Sequence, residues 1–400
     1  MLGLPILEET SGELGTLLWR TVRTLHAWGV TSGADRGLLF YDYSYDQRMA
    51  DLLSAAPEPA LEKWILILTE VLREPVRIDP ERVGIACLGV AAWARAADKP
   101  STAAEFIHLA ALAAPGNPNF ALATARESRD RGDYDTAEAY YHRAVVVARG
   151  RSDWEGYVRG YAGLGKVFQL RGSFRNARRA LRRALKAAER HRLREQRAGV
   201  LHELFTVETD CGEWEEAEGY AEAAAEAFGS GHPLLPNLTF DIGVFWADQG
   251  RFEMALSILR RTLPFLRPEV QILGWANIAR VAGAVSDPEL FEDASRRVFS
   301  SPPDTHRRIQ ALECVARGAI SLGRAEEAEM AARVALSMAQ ERGEHQSKFV
   351  MEGVLQQVER IGRLATNRGQ PDATPPNDAT YRSSTLSLSR ALDKIFTSAP

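Results

Sequence analysis

The sequence predicts an all-α fold: an α-α superhelical solenoid of about seven helix pairs, with an N-terminal helical bundle and a C-terminal capping helix. Three observations carry this. Five glycines recur at a near-constant stride, at positions 132, 172, 212, 250 and 323, with steps of 40, 40, 38 and 73. Each opens the same short pattern: Gly132-Asp-Tyr134-x-x-Ala137, Gly172-Ser-Phe174-x-x-Ala177, Gly212-Glu-Trp214-x-x-Ala217, Gly250-Arg-Phe252-x-x-Ala255 and Gly323-Arg-Ala325-x-x-Ala328. In the clearest copy, apolar residues on either side of the glycine follow helical spacing. A fixed period of this size marks a repeat array, and the doubled last step leaves room for one degenerate copy.

Residues 1–82 come first and carry three helical stretches, about 11–28, 34–55 and 58–74, broken by Gly29, Pro57, Pro59 and Pro75. Leu14, Leu17, Leu18, Val22 and Leu25 stripe the first; Leu61, Trp64, Ile65, Ile67 and Leu68 stripe the third. They form a small bundle, or one or two decayed repeats that cap the array. The acidic-aromatic run Phe40–Asp46 reads equally as a contact surface or as the packing face of the second helix.

Residues 83–343 are the array. Its clearest copy runs Tyr161-x-x-Leu164-Gly165-x-x-Phe168-x-x-x-Gly172-x-Phe174-x-x-Ala177-x-x-x-Leu181-x-x-Ala184. Tyr161, Leu164 and Phe168 share one face of a first helix. Gly165 lets the second helix cross closely, and Gly172 ends the first helix where a left-handed residue is needed. Ala177, Leu181 and Ala184 are the inner stripe of the second helix, so each copy is an antiparallel helix pair. Residues 118–157, 198–235 and 309–343 keep fewer positions. Residues 274–308 are degenerate, with Ala282, Phe291 and Ala294 as anchors, and 84–117 fits through Ala103, Ala110 and Pro115, with Asp98 lying 34 residues before Gly132. Where the pattern fails, between Gly250 and Gly323 and upstream of Gly84, a kink or special contact is expected.

This pattern resembles the tetratricopeptide repeat, whose signature runs W-x2-L-G-x2-Y and then small residues at fixed offsets. Ile242-Gly243-x-x-Trp246-x-x-x-Gly250-x-Phe252-x-x-Ala255 is the second good match, and the resemblance covers roughly 84–343. It implies a solenoid whose concave face takes extended peptides. By analogy of position, the wall residues are Arg126, Arg129, Arg159, Lys166, Gln169, His202, Thr206, Asn237, Phe240, Asp241, Asn277, Arg280, Gln310, Glu313 and Arg317. That mix suits a peptide backbone with an acidic group or C-terminal carboxylate; the alternative is a wall that is merely solvated.

Residues 344–365 read as a capping helix through Phe349, Val350, Val354, Val358 and Ile361, which an exposed last repeat needs. Residues 366–380 are a polar, proline-bearing linker expected to be disordered. Leu388, Leu392, Ile395 and Phe396 then form a short amphipathic patch at i, i+4, i+7 and i+8. It is expected either to fold back into the groove as an internal pseudo-ligand or to hang free.

A second surface stands out. Arg175, Arg178, Arg179, Arg182, Arg183, Lys186 and Arg190 share one face of a second helix. One reading is binding of phosphate or nucleic acid. The other, which the sequence favours, is neutralisation by Glu215, Glu218, Glu222 and Glu226 on the equivalent helix of the next repeat.

Bulk properties exclude several classes. The formal net charge is -4, which gives no global attraction to nucleic acid or anionic membrane. The 3 cysteines are far apart, so neither a disulfide framework nor a zinc site is expected. The N-terminal stretch has no basic n-region, and no run of apolar residues is long enough to span a bilayer, so a cytoplasmic location is expected. Ala162-Gly163-Leu164-Gly165-Lys166 lacks the strand and hydroxyl of a phosphate loop. No metal, cofactor, small-molecule or catalytic constellation is expected. Three functions remain: a non-enzymatic scaffold binding a peptide or helix, a signalling receptor, and nucleic-acid binding through the basic helix. The second rests on layout, since a helical bundle followed by about seven long repeats is similar to the Rap-type peptide receptors of bacteria. That similarity implies a short peptide in the groove and a partner protein regulated through the bundle.

Overall fold

The structure is a computed structural model and describes residues 3–301, 307–341 and 345–367, together with Leu388 and Leu392. Among the described residues it is all-α, without a strand. The chain divides into two compact units, Met1–Glu203 and Leu204–Pro400.

The first unit opens with α1 (Leu4–Glu9), α2 (Gly12–Val30), α3 (Tyr43–Ala55) and α4 (Pro59–Arg73). Three helix pairs follow. These are α5 (Pro80–Ala96) with α6 (Pro100–Ala113), α7 (Pro118–Asp130) with α8 (Tyr134–Gly150), and α9 (Trp154–Leu170) with α10 (Phe174–Arg190). The unit boundary falls within α11 (Arg194–Cys211), which pairs in sequence with α12 (Trp214–Phe228). The second unit continues with α13 (Leu235–Asp248) and α14 (Phe252–Thr262), α15 (Pro268–Ala284) and α16 (Pro288–Phe299), and α17 (Arg308–Ser321) and α18 (Ala325–Glu341). The last helix, α19 (His345–Asn367), packs on α17 and α18.

One turn ends every first helix. In α9, Gly172 sits at φ 70, its N–H donates to Gln169 O at 2.8 Å, and Ser173 N–H donates to Phe168 O at 2.8 Å. This is the six-to-one, five-to-two closure that a left-handed residue allows. Gly132, Gly212, Gly250 and Gly323 repeat it at the ends of α7, α11, α13 and α17. So do two residues that are not glycine. Asp98 at φ 53 closes α5 and Ser286 at φ 58 closes α15, each with the same pair of hydrogen bonds. The reversals therefore stand at 98, 132, 172, 212, 250, 286 and 323, with steps of 34, 40, 40, 38, 36 and 37. Ser286 is the missing member of the doubled step. It hides in the sequence because left-handed backbone disfavours a side chain by about 1–2 kcal/mol without forbidding it.

Close approach is the second rule. A Cβ on Gly165 would fall 2.6 Å from Leu181 Cγ, so the expected crossing of α9 over α10 is present. In the degenerate stretch the contact is closer still. A Cβ on Gly283 would lie 2.2 Å from the backbone oxygen of Gly318, where α15 meets α17. A special contact was expected in this stretch. It is backbone against backbone, and no side-chain adjustment can make room for a methyl group there.

The N-terminal helices do not form a core of their own. Ile6, Leu17, Leu61 and Ile65 share one buried cluster with Val83, Phe106 and Phe120 of the first helix pairs. Arg48 is buried in it. Its guanidinium, pushed down to about 10 by burial against the opposing pull of Asp51, lies 3.5 Å from Asp51 and 3.1 Å from the Thr21 hydroxyl. The Phe40–Asp46 run is divided between core and surface. Phe40 packs on the core, whereas Tyr41 and Tyr43 are exposed and stack on each other at 5.5 Å.

Glu9 joins α1 to α6 across this core. Its carboxylate accepts from Ser101 N–H at 2.6 Å, Thr102 N–H at 2.8 Å and the Thr102 hydroxyl at 2.8 Å, capping the free N–H groups of α6. Burial alone would raise the Glu9 pKa; the hydrogen bonds from Thr102 and Ser101 outweigh it and hold the group below its ordinary value. A depressed folded-state pKa adds stability that is complete above the unfolded value and fades as pH falls through the folded one. Glu9→Gln should therefore cost about 1 kcal/mol near pH 7. Denaturant titrations should show the gap to the parent protein closing once the pH drops below the normal carboxylate range.

Candidate functional site

The first helices α7 and α9 lie side by side, and their polar residues form one wall of the first unit. Arg126 is exposed on α7. Arg129, one turn on, donates to Asp130 Oδ1 at 2.7 Å and reaches the Tyr141 hydroxyl at 3.4 Å. Burial pulls its guanidinium down, but Tyr141, Asp130 and Glu203 outweigh that and raise it. On α9, Lys166 lies 3.4 Å from Glu203 and donates to Gln169 Oε1 at 3.1 Å. Arg159 bonds Asn119 Oδ1 at 3.4 Å and pairs with Glu155 at 3.9 Å. Arg129 and Lys166 thus share Glu203, which the sequence reading did not single out, and Arg126 stands exposed one turn from Arg129. Glu203 lay outside the wall pattern because nothing in a glutamate's spacing marks it as a shared counterion.

In the second unit the candidates are more enclosed. Arg280 pairs with Asp248 at 2.7 Å and Arg317 with Glu313 at 2.9 Å. Thr206, Asn237 and Asp241 are half-buried and Gln310 is exposed; His202, at the end of the first unit, is half-buried too. Two candidates need correction. Phe240 is buried at 8% exposure, and Asn277 is buried at 6% with its amide N–H bonded to Leu273 O at 3.0 Å. Both side chains are committed to the helical layer and neither presents a contact to a ligand.

The basic face of α10 is built differently. Ala177, Ala180, Leu181, Ala184 and Ala188 are buried and seat the helix. Opposite them, Arg175, Arg178, Arg179, Arg182, Arg183 and Lys186 line an open concavity of about 600 Å³. All but the half-buried Arg178 are exposed, as is Arg190 beyond them. Arg183 lies over the Tyr161 ring at 5.8 Å. For Arg175, Arg179, Arg182, Lys186 and Arg190, no described carboxylate stands at ion-pair distance. Of the acidic residues expected to neutralise them, Glu218 is 3% exposed and is bound to Arg251. Arg175–Arg179, Arg178–Arg182, Arg179–Arg183, Arg182–Lys186 and Lys186–Arg190 are like-charged neighbours one turn apart, each unfavourable by about 0.2–0.5 kcal/mol. No acidic residue occupies the first turn to suit the helix dipole.

The tail leucines come to rest in the second unit. Leu388 is 0% and Leu392 2% exposed. Leu392 lines a cavity of about 260 Å³ with Trp246 of α13 and Glu253, Met254, Ser257, Ile258 and Arg261 of α14. The buried Trp246 Nε1 has no hydrogen-bond partner among the described residues. None of the lining residues is one of the wall candidates on α13. Ile395 and Phe396 lie outside the described residues, as does most of 366–387.

With this geometry in place, residues 128–190 match the family model described as tetratricopeptide repeat. That stretch is tetratricopeptide sequence. It spans the turns at Gly132 and Gly172, whose geometry recurs at the other reversals. No sequence among the curated proteins matches this chain. Among solved structures, a Rap protein complexed with competence and sporulation factor aligns over 89% of this chain and 99% of its own, at 12% identity and a TM-score of 0.49. Aspartyl phosphate phosphatase F from Bacillus subtilis aligns over 89% and 97%, at 12% identity and a TM-score of 0.44. The APC/C hetero-tetramer Cut9-Hcn1 aligns over 86% and 64%, at 14% identity and a TM-score of 0.47. No described helix is long and apolar enough to cross a membrane, and no described group of 3 or more His, Cys, Asp or Glu could hold a metal ion.

The like-charge strain on α10 is measurable. Arg179→Glu would replace two repulsive neighbours with favourable pairs to Arg175 and Arg183. It should stabilise the protein by about 1 kcal/mol, read as a higher Tm by calorimetry at low salt, with the gain shrinking as salt is added.

Proposed function

We propose that this protein is a non-enzymatic interaction scaffold whose first helices hold a peptide segment of a partner protein through an acidic group. The observation that carries the reading is the meeting of Arg129 and Lys166 from two adjacent helices at Glu203, with Arg126 exposed one turn from Arg129. Arg129 and Lys166 stand against Asp130 and Glu203 on a wall with hydrogen-bonding side chains, Arg126 adds an exposed cation on the helix of Arg129, and a peptide carboxylate can exchange places with the existing partners. Arg129 offers a fork for two parallel bonds. Lys166, joined to Glu203 at 3.4 Å and exposed in part, acts as a movable point charge. Random-peptide display against the full chain should select sequences with a terminal or side-chain carboxylate. Calorimetry should then show Arg126→Ala and Lys166→Ala each weakening binding by about 1–2 kcal/mol. Selection of peptides without an acidic group, or parent-like binding by both variants, would sink this reading.

The buried Leu392 supports a second element: this tail residue is a resident occupant of the α13–α14 face. Leu392 shares a cavity with Met254 and Ile258, where it covers apolar surface that the short α14 leaves open. Leu388→Asp with Leu392→Asp should speed hydrogen exchange in α14 while α5–α10 keep their protection; unchanged exchange in α14 would show that the segment stabilises nothing there.

A further inference from the structure

We propose that the exposed face of α10 is a docking surface for an acidic helix of a partner protein, separate from the α7–α9 wall and independent of the reading given above. The argument is one of charge complementarity and register. Arg175, Arg179, Arg182 and Lys186 follow i, i+4, i+7 and i+11, so one cation recurs about every 5.4 Å along a straight edge of about 16 Å. A second helix carrying carboxylates at the same spacing presents the same pitch, and two helices packed lengthwise bring the charges together in pairs. The residues are exposed, no described carboxylate neutralises these four, and the concavity of about 600 Å³ that they line is open to a ligand. The burden of like charge on α10 is relieved when an anionic partner sits on it, so binding and relief of strain act together.

Two observations favour an acidic helix over nucleic acid. None of the six residues lining the concavity is aromatic, so a single strand finds no face on which to stack its bases. The Tyr161 ring is already under Arg183. The whole chain is also acidic, at a formal net charge of -4, which opposes the long-range attraction on which non-specific nucleic-acid binding depends.

Three labelled probes separate the outcomes in fluorescence-anisotropy titrations of the full chain: an alanine-based peptide with glutamates at i, i+4, i+7 and i+11, a peptide of the same composition with its glutamates spread around the helix, and single- and double-stranded oligonucleotides of matching charge. The patterned peptide is expected to bind more tightly than the spread one and to weaken as salt rises. Arg179→Glu and Arg182→Glu are each expected to weaken it roughly fivefold, and together more than tenfold. Since Arg179→Glu is also expected to raise Tm, loss of binding in that variant is not loss of fold. Tighter binding of an oligonucleotide than of the patterned peptide would replace the acidic helix by nucleic acid. Failure of the patterned peptide to bind at low salt, or equal binding by parent and double variant, would overturn the proposal.

Discussion

The left-handed reversal at the end of each first helix is the constraint on which the rest of the chain depends. Two hydrogen bonds close it, and they use carbonyls that a helix end otherwise leaves without partners. Where Gly172 turns the chain, Phe174 begins the second helix two residues later, and Ala177 and Leu181 are then aimed back at Leu164 and Gly165. A longer or looser connection would leave the rotation of the second helix unset. The same closure at Asp98 and Ser286 keeps the geometry where the sequence abandons glycine. The array is therefore more regular in structure than in sequence.

That difference marks what the sequence discloses. The helix pairs around Gly132, Gly172, Gly212 and Gly250 are legible because glycine, an aromatic and alanine each meet a separate physical demand at a fixed offset. The pair closed by Ser286 is much harder to see, because its demand is met by a residue with no special preference for the conformation. The reversal at 286 is recognised only by its hydrogen bonds. At Gly283 the sequence does hold a signal, a small residue facing Gly318, but a backbone contact between helices far apart in sequence has no local pattern. The N-terminal helices were visible through their leucine stripes. Their fusion into one core with Val83 and Phe120 was not, since amphipathicity says that a face is buried without saying against what.

The candidate sites divide along the same line. Spacing on a helix locates Arg126, Lys166 and the α10 stripe, because side-chain direction follows from periodicity. Pairing does not follow from periodicity. Glu203 draws on Lys166 and Arg129 from a third helix, and Glu218 is buried against Arg251 of another helix pair. Asn277 shows the converse: a polar residue at a wall position turns its amide to its own helix and leaves the surface. Charge complementarity inferred from matching stripes is thus weaker than charge placement, since each acid chooses among every cation within reach.

Placement itself is fixed by the fold. Ala177, Leu181, Ala184 and Ala188 recur at i, i+4, i+7 and i+11, the same register as Arg175, Arg179, Arg182 and Lys186 two positions behind. The buried set fixes the rotation of α10, because a slip of one residue would bring arginine stems under α9, where Gly165 leaves room for Leu181 and little else. The exposed set is oriented as a consequence. Burying unpaired guanidinium groups costs far more than the like-charge repulsion of leaving them in water, so the packing that makes the helix pair stable also holds the cations in a row. The backbone pitch of the row is already set before any partner arrives, so only side-chain freedom is lost on binding. The face of α10 therefore needs no groove walls of its own to be selective; its spacing is the selective element, and that spacing is set by alanines on the opposite side of the helix.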